Sequence, residues 1–140
     1  VASMPKVDKT KIAAVGYCFG GMAALELARS GAELRGTATL HGLLSTPKPA
    51  STKNVKGAVL VMTGDLDSMV PAKQVMSFSK EMRDAKADWQ IVTFGGAMHA
   101  FSVPSANSPK EGMAYNRRTD MRSWSILVDF LAEVLGETVH

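Results

Sequence analysis

One cysteine, Cys18, stands among 140 residues. No internal disulfide can form, and the chain suits a reducing compartment, where a single thiol is often kept for chemistry. The expected location is the cytoplasm. No apolar run approaches the ~20 residues of a membrane span. The first residues, VASMPKVDKTK, lack the apolar stretch of a signal peptide. No membrane partner is expected. Aromatic residues make up only 6%, and no aromatic platform or basic stripe is visible, so no nucleic-acid partner is expected either. The 16 basic and 13 acidic residues leave a net charge of +3. They are interspersed, as on an ordinary solvated surface. Repeats and low-complexity tracts are absent.

What is present is enough for one domain, residues 1–140. A chain of this size buries roughly two-thirds of its unfolded surface. The apolar fraction is 46% and the charged fraction 21%. Four short apolar runs, 11–17, 34–42, 56–64 and 88–96, are continuous rather than alternating, the pattern of parallel strands buried on both faces. Helical patterns cover 20–31, 71–87 and 117–136. In the first, Met22, Leu25 and Leu27 form the apolar flank and Gly31 the stop. Val75, Phe78 and Met82 mark the second. Trp124, Leu127, Val128, Leu131 and Leu135 mark the third. Segments 43–54 and 102–112, rich in Pro, Ser and Asn, read as surface loops. The alternation implies an α/β fold: an open parallel sheet of about four strands with helices on both faces.

Ligands bind such sheets at the carboxyl ends of the strands. Those ends carry Cys18, His41, Asp65 with Asp67, and His99; of the candidate reactive side chains only His140 falls elsewhere. Cys18 sits in G-x-C-x-G, with Gly16 and Gly20 on either side of a sharp strand-to-helix turn, the cysteine form of a nucleophile elbow. The helix N-terminus favours an anionic sulfur. The Phe19 N–H is placed to donate to an oxyanion. The plainer reading is a buried packing cysteine. In TGDLDSMVP, Asp67 lies deeper in the loop and suits a carboxylate that orients a histidine, while Asp65 suits a turn brace. Both could instead be turn formers. In FGGAMHAF, His99 follows its strand on a loop, a place where most histidines are merely solvated. The order nucleophile, acid, histidine is that of α/β-hydrolases. His41 is expected to brace the rim, with substrate contact and catalytic base as the alternatives. Tyr17, His41, Met69 and Phe101 are the candidate pocket-lining residues. No metal and no cofactor is expected.

GYCFGG, LHG, TGDLDSMVP, GGAMHAF and AYNRRTDMRSW together resemble the dienelactone hydrolase family, over about residues 11–135. The resemblance implies an α/β-hydrolase fold and a Cys-Asp-His triad acting on esters or lactones. It assigns Cys18 as nucleophile, Asp67 as orienting acid and His99 as base and acid. Tyr115, Asn116 and residues 122–124 match the family's closing segment, with a structural role. Two departures stand out. Family members carry further N-terminal strands, which supply a second oxyanion N–H and an acidic partner for the cysteine. This chain looks like the C-terminal catalytic half. Lactone-cleaving members also place an arginine just beyond the histidine, and HAFSVPS offers none, so a dienelactone is not the expected substrate.

The expected function is hydrolysis of small esters or lactones. Two alternatives stay open: a weak or inactive hydrolase-derived binding or assembly module, and a redox-sensitive thiol protein. Strand 11–17 is apolar and would lie at a sheet edge, an association site. A homodimer or higher homo-oligomer through that side is therefore expected.

Overall fold

Strands buried on both faces need helices above and below, and the chain supplies three. The computed structural model describes residues 3–136. It runs β1 (Ala13–Tyr17), α1 (Phe19–Arg29), β2 (Gly36–Leu40), β3 (Ala58–Gly64), α2 (Ala72–Asp84), β4 (Trp89–Phe94), β5 (Asn107–Ser108), a 3-10 turn (Pro109–Glu111), β6 (Met113–Ala114) and α3 (Arg117–Leu135). The four long strands form one parallel sheet in the order β1-β2-β3-β4. This is the expected α/β architecture. The antiparallel pair β5-β6 lies in and beside the segment expected to be plain loop.

The two-residue period of the strands sorts their side chains onto two faces. Ala38, Leu40, Leu60, Met62 and Phe94 pack with Leu127 of α3. Val59 and Val61 pack on the other face with Leu25 of α1 and with Phe78 and Met82 of α2. Helices therefore cover both faces. The last strand residues point their carboxyl ends at one rim, where the loops after β1, β2, β3 and β4 gather.

β1 is an edge strand. Val15 and Tyr17 are in register with Ala38 and Leu40 and so face α3, yet they are 40% and 41% exposed. Trp124 and Val128, expected in the core face of α3, are exposed as well, and so is Leu27 of α1. Among the described residues the sheet ends at β1, and no strand packs on the flank of α3 above it. Leu127 and Val134, on the inner flank, are buried.

A buried ion pair joins the helices of the opposite face. Arg29, 5% exposed, donates from Nε and Nη2 to both carboxylate oxygens of Glu81, at 2.8 and 2.9 Å. It also donates to the Leu44 carbonyl and to Glu26. Glu81 in turn accepts the Ala50 N–H. One guanidinium thus ties α1, α2 and the 43–54 segment. Arg29→Met strands a buried carboxylate, and we expect it to cost about 3–5 kcal/mol, read as a lower urea midpoint. Adding Glu81→Leu should recover most of that loss.

Candidate active site

The elbow is built by backbone contact. Cys18 adopts φ 52° and ψ −120° between the end of β1 and the start of α1. A non-glycine residue in that region costs on the order of 1–3 kcal/mol and persists only where its surroundings enforce it. Here they do. A Cβ on Gly16 would lie 2.1 Å from the Gly20 carbonyl oxygen, so the first turn of α1 rests directly on the strand. A Cβ on Gly21 would lie 2.1 Å from Thr39 Oγ1 of β2. A Cβ on Gly20 would meet nothing; its backbone, not its missing side chain, makes the contact. The Cys18 N–H donates to the Leu40 carbonyl at 3.0 Å, and the Cys18 carbonyl accepts from Gly21 and Met22. The thiol is exposed. Among the described residues, the Phe19 and Gly20 N–H groups have no backbone acceptor and remain free at the helix start.

The loops after β3 and β4 are stitched together, with Leu66 N–H on the Ala97 carbonyl and Asp65 N–H on the Phe94 carbonyl. Asp65 is exposed, and the bond it brings to this turn is from its backbone N–H. Asp67 is 2% exposed. One of its oxygens accepts the Met69 N–H at 2.9 Å, and the other meets His99 Nδ1 at 2.9 Å. His99 Nε2 lies 3.2 Å from Cys18 Sγ. The hydrogen bond to Asp67 lifts the His99 imidazole to about 9, against the lowering effect of burial and with help from the Cys18 contact. An imidazole held between a carboxylate and a sulfur can carry a proton between the sulfur and a third reactant.

His99 is positioned by the end of the segment expected to be surface loop and by the residues just after it. Its N–H donates to the Gly112 carbonyl, and its carbonyl accepts the Ala114 N–H. Gly112, at φ 78°, has no room for a Cβ beside Ser68 Oγ, 2.6 Å away. Asn116 caps α3 by accepting the Thr119 N–H, and the Tyr115 hydroxyl donates to Asp120. These two residues thus hold the start of the closing helix.

His41 is fully buried at φ 41°. Its Nε2 is 2.8 Å from Ser102 Oγ, while Nδ1 is buried with no partner. Burial, and secondarily the neighbouring His99, pull its pKa down to about 4, so the ring is neutral at physiological pH. The ring stands 5.2 Å from that of His99 and 6.0 Å from that of Tyr17. Ligating atoms of Cys18, His41 and His99 all lie within 4.8 Å of one another. Phe101, a candidate pocket wall, is fully buried in the core, edge-on to His41. Tyr17 and Met69 are each 41% exposed at the rim. His140 lies outside the described residues. Ser102 and Gly112 went unread, because nothing local in SVPSANSPKEG points at a rim many residues away.

Comparison with known proteins bears on the family and the fold. The model of the dienelactone hydrolase family matches residues 1–135. An uncharacterized protein of Caenorhabditis elegans, K02A2.1, is 34% identical over 137 residues, covering 96% of this chain and 87% of that protein. The human carboxymethylenebutenolidase homolog is 29% identical over 92 residues, 65% of this chain and 37% of that protein. Among solved structures, the dienelactone hydrolase-like promiscuous phosphotriesterase P91, from metagenomic libraries, superposes with a TM-score of 0.86 at 36% identity. That match covers 95% of this chain and 56% of P91. The chain thus spans about half of P91 and little more than a third of the human protein. With the family model matched along nearly its whole length, the chain belongs to the dienelactone hydrolase family.

Proposed function

We propose that this protein hydrolyses small esters or lactones, with Cys18 as nucleophile, His99 as proton carrier and Asp67 as the group that orients His99. The observation that carries the reading is the unbroken contact from Asp67 through His99 to Cys18 at the strained turn. A cationic His99 stabilises the sulfur as an anion. Cys18 Sγ attacks the carbonyl carbon, and the electron pair moves to the carbonyl oxygen, which the Phe19 N–H holds. As the tetrahedral species collapses, His99 gives its Nε2 proton to the departing alkoxide. A thioester remains. Water attacks it, His99 takes the water's proton, and the sulfur leaves as the acid forms. Asp67 stays ionised throughout and fixes the tautomer. The open rim, with Cys18 and Phe19 exposed, suits small acyl groups.

We also propose that the chain self-associates through strand 11–17. Self-association is supported by β1 being paired on one side only and by the exposed Val15 and Tyr17 beside it. Solution scattering should give a particle larger than one chain; a compact monomer overturns this part.

Turnover of a chromogenic ester should fall on the order of 10³–10⁴-fold in Cys18→Ala and in His99→Ala. Unchanged turnover in either variant rejects the triad. Absence of turnover across a broad ester panel favours the non-catalytic binding module. The His99–Asp67 pair also sets a pH signature. Because folding raises the His99 pKa from 6.5 to about 9, its stabilisation is complete below 6.5 and is lost as the pH climbs to about 9. Imidazole NMR should place the wild-type midpoint near 9 and move it toward 6.5 in Asp67→Asn. That variant should lose more stability in mild acid than in alkali. A midpoint unmoved by the substitution contradicts the assignment.

A further inference from the structure

We propose that the rim of this protein is also a zinc site, with Cys18 Sγ, His99 Nε2 and a ring nitrogen of His41 as ligands, and that zinc at this site blocks the thiol. The binding does not depend on the hydrolase reading. Only its inhibitory consequence does.

The donor set is the first argument. One thiolate and two imidazoles suit zinc among the common divalent ions. Their ligating atoms lie within 4.8 Å of one another. In tetrahedral coordination, Zn–S of about 2.3 Å and Zn–N of about 2.0 Å separate neighbouring ligand atoms by roughly 3.3–3.6 Å. Sγ and Nε2 are already 3.2 Å apart. The full set is wider, up to 4.8 Å, so binding requires the three ligand atoms to draw together, with Cys18, on the exposed rim, the freest to move. Three protein ligands leave a fourth position open to water.

The outer contacts are the second argument. Histidines that bind zinc through one nitrogen usually hold a carboxylate, a carbonyl or a water with the other. His99 Nδ1 holds Asp67 at 2.9 Å, which leaves Nε2 directed to the cluster. For His41, Ser102 engages Nε2 at 2.8 Å, and Nδ1 is buried without a partner. A buried polar atom left unpaired costs free energy. His41 is also held at φ 41° and fully buried. The triad leaves this nitrogen unused, and a cation gives it a role.

On binding, the proton shared by Sγ and Nε2 leaves to solvent, and both atoms donate their lone pairs to the metal. No oxidant or reductant takes part. With Sγ and Nε2 on the ion, neither can attack an ester or carry its proton.

Cobalt(II) titrated into the full chain should give a sulfur-to-cobalt charge-transfer band at one ion per chain, bleached by zinc. Alkylating Cys18 in the folded protein should abolish the band. His41→Asn should weaken zinc at least about ten-fold; asparagine tolerates the left-handed backbone at this position. Zinc affinity within two-fold of wild type in His41→Asn, or a band that survives alkylation, overturns the proposal. If that variant does not fold, X-ray absorption of the zinc-loaded wild type decides. One sulfur and two imidazoles support the site; one sulfur with a single imidazole rejects it. Zinc that binds there without slowing ester turnover refutes the inhibitory part. A chain that never turns over esters but shows the band fails the proposed function and leaves the site standing.

Discussion

The approach of Gly16 to the Gly20 carbonyl is the contact on which the site depends. At 2.1 Å from where a Cβ would sit, it lets α1 start directly on top of β1 with a single residue between them. That residue is Cys18. Its backbone is forced to φ 52°, and its thiol is pushed out at the rim rather than into either core. Among the described residues, the helix start then leaves the Phe19 and Gly20 N–H groups without a backbone acceptor, directly after Cys18. Strain, exposure and a local positive potential therefore share one cause.

The sheet turns this local arrangement into a constellation. Parallel strands end at one rim, so residues far apart in sequence meet there: Cys18 and His99 are 81 positions apart, and Asp67 and His99 are 32 apart. The register from β1 to β4 fixes where each loop starts. The bonds between the loops after β3 and β4 fix how Asp67 faces His99. Burial differs along the Asp67–His99–Cys18 contacts. Asp67 and His99 are each 2% exposed, so their hydrogen bond is little screened, while the sulfur meets solvent. His41 stands beside them as a neutral ring, and a cationic one there would work against a proton on His99.

Much of this was legible in the sequence. The four continuous apolar runs, the helix patterns and the Gly-x-Cys-x-Gly turn are local signals, and local physics produces them. The order of Cys18, Asp67 and His99 was legible because rim loops follow strands in sequence order. Contacts across the fold were not. Nothing in FGGMAALELAR shows that Arg29 will be buried on Glu81, since an arginine ending a helix is ordinarily solvated. Trp124 carries the spacing of a core residue, but its exposure depends on where the sheet stops. The clamp on His99 comes from Gly112, at the end of a segment whose composition says only loop, and from Ala114 just beyond it. The unpaired nitrogen of His41 depends on what Ser102 does, 61 positions away.

The central claim is that the sulfur at this elbow is the atom that attacks. Intact-mass analysis of an ester reaction, quenched within the first turnovers and followed by peptide mapping, tests it most directly. The account predicts an acyl group in thioester linkage on the peptide that carries Cys18, formed and then lost at rates that match turnover. Ester turnover with no adduct on Cys18, or with the acyl group on another residue, would contradict it.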